Sequence, residues 1–190
     1  MLEDIAHLLV EFADSAGYLG VYLYMLLVGT FIPVPSEILL IPSGYLASMG
    51  QKSFLLLLLS GALGSLSGAL INYHLAKWLV RRFRHKPIIQ KTIHFFQRHG
   101  KISVFLAPLT PGLGQYISIP AGISHMPLRI FIPLTFLANL IWVGFMLLIG
   151  YIFGEGSKAH SAAAWFSLLL LGFVILSVSV YVWREMRRES

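Results

Sequence analysis

The stretch "GTFIPVPSEILLIPSGY", residues 29–45, interrupts an otherwise apolar run with three prolines and one carboxylate, Glu37. A proline removes a backbone hydrogen-bond donor and its ring clashes with the preceding helical turn. It also biases the residue before it away from the helical conformation. The stretch therefore predicts two short helices that are joined by a break, rather than one continuous helix.

The composition indicates that the solvent around this break is a membrane. The chain has 190 residues, of which 57% are hydrophobic and 12% are charged, and its mean hydropathy is +0.77. A soluble domain of this size could not bury so much apolar surface. The chain has no cysteine, which excludes disulfides and thiolate chemistry. It also has no phosphate-binding glycine loop, HExxH motif or Ser–His–Asp spacing, so we predict no enzyme, cofactor or metal site.

Hydropathy and proline content divide the apolar sequence into two kinds of segment. A full span needs about 20 apolar residues, and segments 53–76, 130–153 and 162–183 meet this length. Segments 17–50 and 102–127 are equally apolar but are interrupted by proline and glycine. We predict an all-α polytopic membrane protein with three full spans and two re-entrant hairpins.

Nine proline and glycine residues are expected to form these hairpins: Pro33, Pro35, Pro42, Gly44, Pro111, Gly112, Gly114, Pro120 and Gly122. Residues 1–16 precede the first hairpin and have apolar side chains at helical spacing, which predicts an amphipathic helix at the membrane interface.

The charge distribution predicts how the chain is oriented. Residues 77–101 contain eight Lys or Arg and no acid, so the positive-inside rule makes this segment a cytoplasmic loop. Its amphipathic helix should contact anionic headgroups rather than nucleic acid. The tail, 184–190, is also basic and should be cytoplasmic. Spans 130–153 and 162–183 lead out of the cytoplasm and back, so the second hairpin must return to the cytoplasmic face that it enters. The acidic N-terminus is expected outside, so the first hairpin must enter from the opposite face and return to it.

The two broken segments align without a gap. "PVPSEILLIPSG" (33–44) matches "PGLGQYISIPAG" (111–122) at an offset of 78. Two copies that enter from opposite faces form an inverted repeat, in which transporters place a substrate site near the midplane. The alignment pairs Glu37 with Gln115.

This pairing predicts a proton or substrate site made of Ser36, Glu37, Gln115 and Tyr116. Desolvation favours the protonated form of a carboxyl group, which would let Glu37 carry a proton. The alternative is an ionised Glu37 that is solvated at the mouth of the hairpin or caps the next helix.

Other polar residues are weaker candidates. His125 and Arg129 follow the second hairpin and could contact a phosphate headgroup, although Arg129 could equally extend to the interface. Asn72 and Asn139 lie in spans, where an interhelical hydrogen bond is the expected role.

The motifs "FIPVPSEILLIPSGYLA", "FLAPLTPGLGQYISIPAGISHM" and "NLIWVGFMLLIGYIFG" resemble the DedA family, the bacterial branch of the VTT or SNARE-associated membrane proteins. The resemblance covers residues 17–155. It implies a bacterial inner-membrane protein with two re-entrant hairpins that moves undecaprenyl phosphate or phosphatidylethanolamine between leaflets. It also implies dependence on the proton motive force.

The chain departs from the family pattern at two positions. Glu37 occupies the acid position of "P-x-P-[SG]-[ED]", whereas Pro108 and Gly114 stand where the family motif has arginines. Arginines at such positions are natural phosphate ligands. Their replacement favours a zwitterionic lipid such as phosphatidylethanolamine, or a substitute cation at Arg129 or in the basic loop.

These observations predict a DedA-type lipid transporter or scramblase, coupled to protons through Glu37. The alternatives are a membrane scaffold or assembly factor that transports nothing, and a small-solute H⁺ antiporter. The expected partners are membrane lipids, and a homo-oligomer is compatible with the sequence.

Overall fold

The computed structural model describes residues 2–30, 32, 35–83, 87–109 and 114–153. Every regular element within these residues is a helix, so the all-α prediction is confirmed for this part of the chain. Several predicted features lie outside the described residues. They are the third span (162–183), the tail (184–190) and the hairpin residues Pro33, Pro111 and Gly112.

Six α-helices follow one another: α1 (Leu2–Gly29), α2 (Glu37–Ser48), α3 (Phe54–Phe83), α4 (Pro87–Leu106), α5 (Ser118–Ile123) and α6 (Leu128–Phe153). Two 3₁₀ turns, Ala107–Leu109 and Gly114–Tyr116, lie between α4 and α5.

Two of these helices are long and apolar enough to cross a membrane, over Phe54–Trp78 in α3 and Leu128–Phe153 in α6. They confirm the apolar helices predicted at 53–76 and 130–153. Helix α3 has 30 residues and is therefore about 45 Å long, more than the roughly 30 Å of a bilayer's hydrocarbon core. Its last turns extend beyond the candidate span.

Helix α1 has one kink, at Gly17. The backbone angles there are φ 59° and ψ −170°, a conformation that glycine adopts without the steric cost of a side chain. The kink separates residues 2–16 from 18–29, and the predicted boundary between the interfacial helix and the first hairpin lies at this point.

The first break is shorter than the proline pattern predicted. Helix α1 ends at Gly29, α2 begins at Glu37, and Pro42 lies inside α2. Pro42 costs the helix one hydrogen bond. Residues on both sides of it, Leu39 to Gly44, are buried against the rest of the protein, and this packing holds the helix together across the proline.

The basic segment is mostly helical, and its helices extend beyond the predicted amphipathic helix. Helix α3 continues to Phe83, and α4 runs without interruption from Pro87 to Leu106. The predicted interfacial helix and the first arm of the second hairpin are therefore one helix. Pro87 suits its first position, where no backbone donor is needed, and no proline follows before Pro108.

The helices pack in a crossed arrangement. Helix α1 lies along α3 and α4 lies along α6, whereas α2 packs on α6 and α5 packs on α3. Glycines allow the crossed contacts: a Cβ at Gly44 would overlap the carbonyl oxygen of Leu147, and a Cβ at Gly122 would overlap that of Tyr73. Each broken segment is thus held by both long helices.

Helices α1 and α3 run in the same direction. Tyr22 approaches Gly64 and Leu26 approaches Gly68, one turn further along both helices. At the start of α3, the Ser53 backbone N–H donates a hydrogen bond of 2.8 Å to the Tyr18 hydroxyl. The first broken segment therefore begins level with the start of α3 and extends toward its other end.

Candidate functional site

The first break is held to α6 through Ser36. This residue is buried, and its Oγ accepts a hydrogen bond of 3.2 Å from the indole Nε1 of Trp142. The Ser36 carbonyl also accepts the Leu40 backbone N–H at 3.1 Å. Ser36 therefore fixes where α2 begins and ties that position to the interior of a candidate span.

Glu37 is the first residue of α2 and is half-buried. Tyr24 on α1 lies near enough to interact with its charge, and the Tyr24 hydroxyl donates a 2.8 Å hydrogen bond to the Pro35 carbonyl. Glu37 therefore lies between the first break and α1, with its side chain near the Tyr24 hydroxyl.

Asn72 joins the two breaks. This α3 residue is 2% exposed, and its Nδ2 donates hydrogen bonds to the carbonyl oxygen of Gly29 at 3.2 Å and to that of Gln115 at 3.3 Å. Gly29 ends α1, and its carbonyl is one of those that a helix end leaves without an internal partner. One side chain thus satisfies backbone groups of both broken segments.

The remaining atom of the same amide is available for another interaction. Asn72 Oδ1 is buried and has no hydrogen-bond partner among the residues that the structure describes. Sequence reasoning gave Asn72 only a routine interhelical role. The signal that could have identified it is a primary amide inside an apolar span that is otherwise lined with small residues such as Gly64 and Gly68.

The second break is built around Gln115. It lies in the turn Gly114–Tyr116, and its carbonyl also accepts the Ser118 hydroxyl at 3.2 Å. A Cβ at Gly114 would overlap the backbone of Pro108. Pro108 and Gly114, the positions at which the family motif has arginines, are therefore in contact. A long side chain at residue 114 would not fit in this conformation.

The predicted site residues come together only in part. Asn72 brings the end of α1 next to the backbone of Gln115, but within the described residues no hydrogen bond links the side chains of Glu37 and Gln115. Tyr116 is 38% exposed. The breaks meet through backbone carbonyls, while Glu37 lies on the α1 side of this junction.

His125 and Arg129 lie away from the breaks. His125 is in the turn between α5 and α6, where its Nδ1 is 3.1 Å from the Ile123 carbonyl. Arg129 is exposed on the first turn of α6. Pro120, predicted to interrupt the chain, lies at the third position of α5, where a backbone donor would have no partner within the helix.

Known proteins resemble the chain over most of its length. The alkaline phosphatase-like protein of Lactococcus lactis strain IL1403 is 29% identical, covering 92% of this chain and 91% of that protein. Undecaprenyl phosphate transporter A of Bacillus subtilis is 27% identical, covering 91% and 90%. Protein DedA of Escherichia coli K12 is 23% identical, covering 94% and 89%. No solved structure matches the chain.

The VTT domain family model matches residues 32–152, a range that covers most of the first break, the second break, the span Phe54–Trp78 and all but the last residue of the span Leu128–Phe153. The chain therefore belongs to the VTT domain family and is a membrane protein related to DedA.

Proposed function

We propose that the chain transports a membrane lipid, either a phospholipid or a lipid-phosphate carrier, between the leaflets of a bacterial inner membrane. Its headgroup would pass beside the two helix breaks while the acyl chains stay in the bilayer. The similarity to undecaprenyl phosphate transporter A of Bacillus subtilis supports this class of substrate.

The observation that carries the proposal is the Asn72 junction. Asn72 lies six residues before the end of the candidate span Phe54–Trp78, about 9 Å along the helix. Non-helical backbone at such a depth is tolerated where it packs on protein or lines a polar path. The carbonyls of Gly29 and Gln115 would offer hydrogen-bond acceptors to a headgroup that lipid tails cannot provide.

We further propose that the broken segments are re-entrant and form an inverted repeat. The crossed packing supports this, because each return arm, α2 or α5, rests on the span that follows the other broken segment. The first segment begins beside Ser53, at the start of α3. The second segment ends beside the later part of α3, where the Tyr73 hydroxyl donates to the Met126 carbonyl. The two would thus enter from opposite faces, with 77–101 in the cytoplasm.

Glu37 would supply the ionisable group of this path. In its charged form the carboxylate could bind the ammonium of a zwitterionic headgroup, and in its protonated form it would release that ammonium. The position of Glu37 at the start of α2, directly after the first break, supports this role, because ionisable residues inside a membrane are commonly functional.

The test is lipid exchange in liposomes that contain a fluorescent phosphatidylethanolamine. Asn72→Leu removes both hydrogen bonds at the junction, and we expect the exchange rate to fall about tenfold or more, in line with the loss of two buried hydrogen bonds. Asn139→Leu, a half-buried asparagine on α6, is the matched control and should leave the rate unchanged. Glu37→Gln should abolish the dependence of the rate on a pH gradient.

Each other result has a defined meaning. Wild-type exchange in a well-folded Asn72→Leu protein would overturn the proposed path. Absence of exchange in every form would favour a scaffold, and solute flux driven by a pH gradient without lipid movement would favour an antiporter.

A further inference from the structure

A cavity of about 570 Å³ lies between the second half of α4 and the turn that joins α5 to α6. Its polar wall consists of Arg98, His99, Lys101, Ser124 and His125, and none of its lining residues is acidic. Phe96 and Met126, both 8% exposed, form an apolar wall. The cavity includes both ends of the second broken segment, but none of its lining residues lies between the end of α4 and the start of α5 or between α1 and α2, so it does not include the junction at Asn72.

His125 has an unusual backbone conformation at the edge of this cavity. Its φ is 55°, in the left-handed region, which is disfavoured for residues other than glycine. The turn closes with backbone hydrogen bonds from His125 N to Gly122 O and from Met126 N to Ala121 O, both 3.1 Å. This is the helix-ending motif in which glycine normally occupies the left-handed position.

The chain uses glycine at the equivalent position of its other return arm. After α2, Gly50 has φ 72° and donates to Ala47 O, and Gln51 N donates to Leu46 O. The same hydrogen-bond pattern therefore closes both arms, with glycine in one and histidine in the other. His125 therefore stands at a position where glycine would fit with less backbone strain, which suggests that its side chain has a role.

The histidine ring is oriented by its own turn. A carbonyl oxygen can only accept, so the Nδ1 of His125 carries the proton shared with Ile123 O. Nε2 is then left for a ligand: it donates to a phosphate oxygen when the ring carries both protons, and otherwise it accepts from a phosphate hydroxyl. The cavity also borders Pro127 and Ile130, at the start of the candidate span Leu128–Phe153, which places it at the depth where headgroups meet the hydrocarbon.

We propose that this cavity binds a phosphate monoester group at the membrane interface. The guanidinium of Arg98 and the ammonium of Lys101 supply two permanent positive charges, which match the charge of a dianion and form charge-assisted hydrogen bonds with its oxygens. The imidazoles of His99 and His125 add further hydrogen-bonding nitrogens, and the apolar wall accommodates the carbon group attached to the phosphate. This chemistry is shared by lipid phosphates and by free inorganic phosphate.

The test measures binding to the full-length protein in detergent and in nanodiscs. One arm titrates inorganic phosphate, and the other uses phosphatidylcholine nanodiscs with phosphatidic acid, compared with phosphatidylglycerol at equal charge. His125→Gly relieves the backbone conformation while it removes the imidazole, so we expect equal or higher thermal stability with affinity lowered about tenfold. His125→Asn, which also tolerates the left-handed conformation, should lose the same affinity.

Lys101→Gln should also lower affinity about tenfold, and Lys77→Gln, which removes one charge from α3 outside the cavity, is the matched control. Binding of phosphatidic acid alone assigns the site to a lipid, and binding of inorganic phosphate alone assigns it to a soluble ion. Either result, or binding of both probes, supports a phosphate site. Equal weakening by Lys77→Gln and Lys101→Gln, no preference over phosphatidylglycerol, or no binding of either probe would overturn the proposal. Because binding is measured without transport, a failure of lipid exchange leaves these results unaffected.

Discussion

At the level of single residues, two polar side chains on the long helices hold the breaks in place. Asn72 on α3 binds the carbonyls of Gly29 and Gln115, and Trp142 on α6 binds the hydroxyl of Ser36. Both side chains act on positions where a helix has just ended or is about to begin. The long helices therefore determine where the breaks lie as well as supporting them.

Trp142→Phe tests the hydrogen bond to Ser36. The substitution keeps an aromatic side chain but leaves the buried Ser36 hydroxyl without its indole donor, which should lower the free energy of unfolding by about 1–3 kcal/mol. Thermal or denaturant unfolding in detergent measures this loss. Ser36→Ala combined with Trp142→Phe should cost less than the two single changes together; simple additivity would show that the hydrogen bond contributes nothing.

Sequence reasoning located the residues of the breaks but not the residue that joins them. Proline and the acid Glu37 act locally, so their positions predict that a helix ends nearby. The role of Asn72 depends on which carbonyls lie opposite it, and that follows from how α1 and the second break cross α3. No periodicity within α3 contains this information.

At the scale of elements, the close contacts between helices depend on glycine where backbone meets backbone. Gly44 lets α2 approach the Leu147 carbonyl of α6, and Gly122 lets α5 approach the Tyr73 carbonyl of α3. Small residues at such crossings allow the van der Waals contact that stabilises helix pairs in membranes.

Gly44→Ala should separate α2 from α6. The added methyl group would overlap the backbone oxygen of Leu147, which cannot move as a side chain can, and we expect a loss of about 1–3 kcal/mol of stability. Gly144→Ala is the matched control because its neighbour is the end of the flexible Leu58 side chain. That change should be neutral or stabilise α6 by up to about 1 kcal/mol. Equal melting temperatures for the two variants would contradict the close approach of α2 and α6.

The proline pattern predicted more interruption than the structure contains. Pro42 and Pro120 lie inside helices, because burial against a long helix holds α2 together and because α5 has only just begun at Pro120. The same local reasoning divided α4 into an interfacial helix and the first arm of the second hairpin. The sequence changes from amphipathic to apolar along α4, but its backbone is one continuous helix. Composition marks where a helix can break, and tertiary packing decides whether it does.

In the molecule as a whole, the crossed packing joins the first and second parts of the chain into one body. The buried apolar side chains form two clusters, one around α2 and α6 and the other around α3 and α5. Each cluster combines residues from both halves, so neither half has a complete core of its own. The alignment at an offset of 78 predicted the likeness of the halves but not their exchange of return arms.

The cysteine-free chain allows a direct test of orientation. Ser48→Cys at the end of α2 and His94→Cys on α4 place single thiols at exposed positions before and after α3 in the chain. We expect a membrane-impermeant maleimide to label Ser48→Cys in intact cells and His94→Cys only after permeabilisation, because positively charged segments stay in the cytoplasm. Labelling of both thiols from the same side would show that α3 does not cross the membrane.

The contact between Gly44 and Leu147 also affects how the protein is made. About a hundred residues separate the two positions, so at a translation rate of 5–20 residues per second the ribosome synthesises α6 roughly 5–20 s after α2. During this interval α2 can pack on α1, but the backbone of α6 that Gly44 contacts has not yet been made. The first return arm must therefore wait at the membrane, or be held by the insertion machinery, until the second half of the chain arrives to receive it.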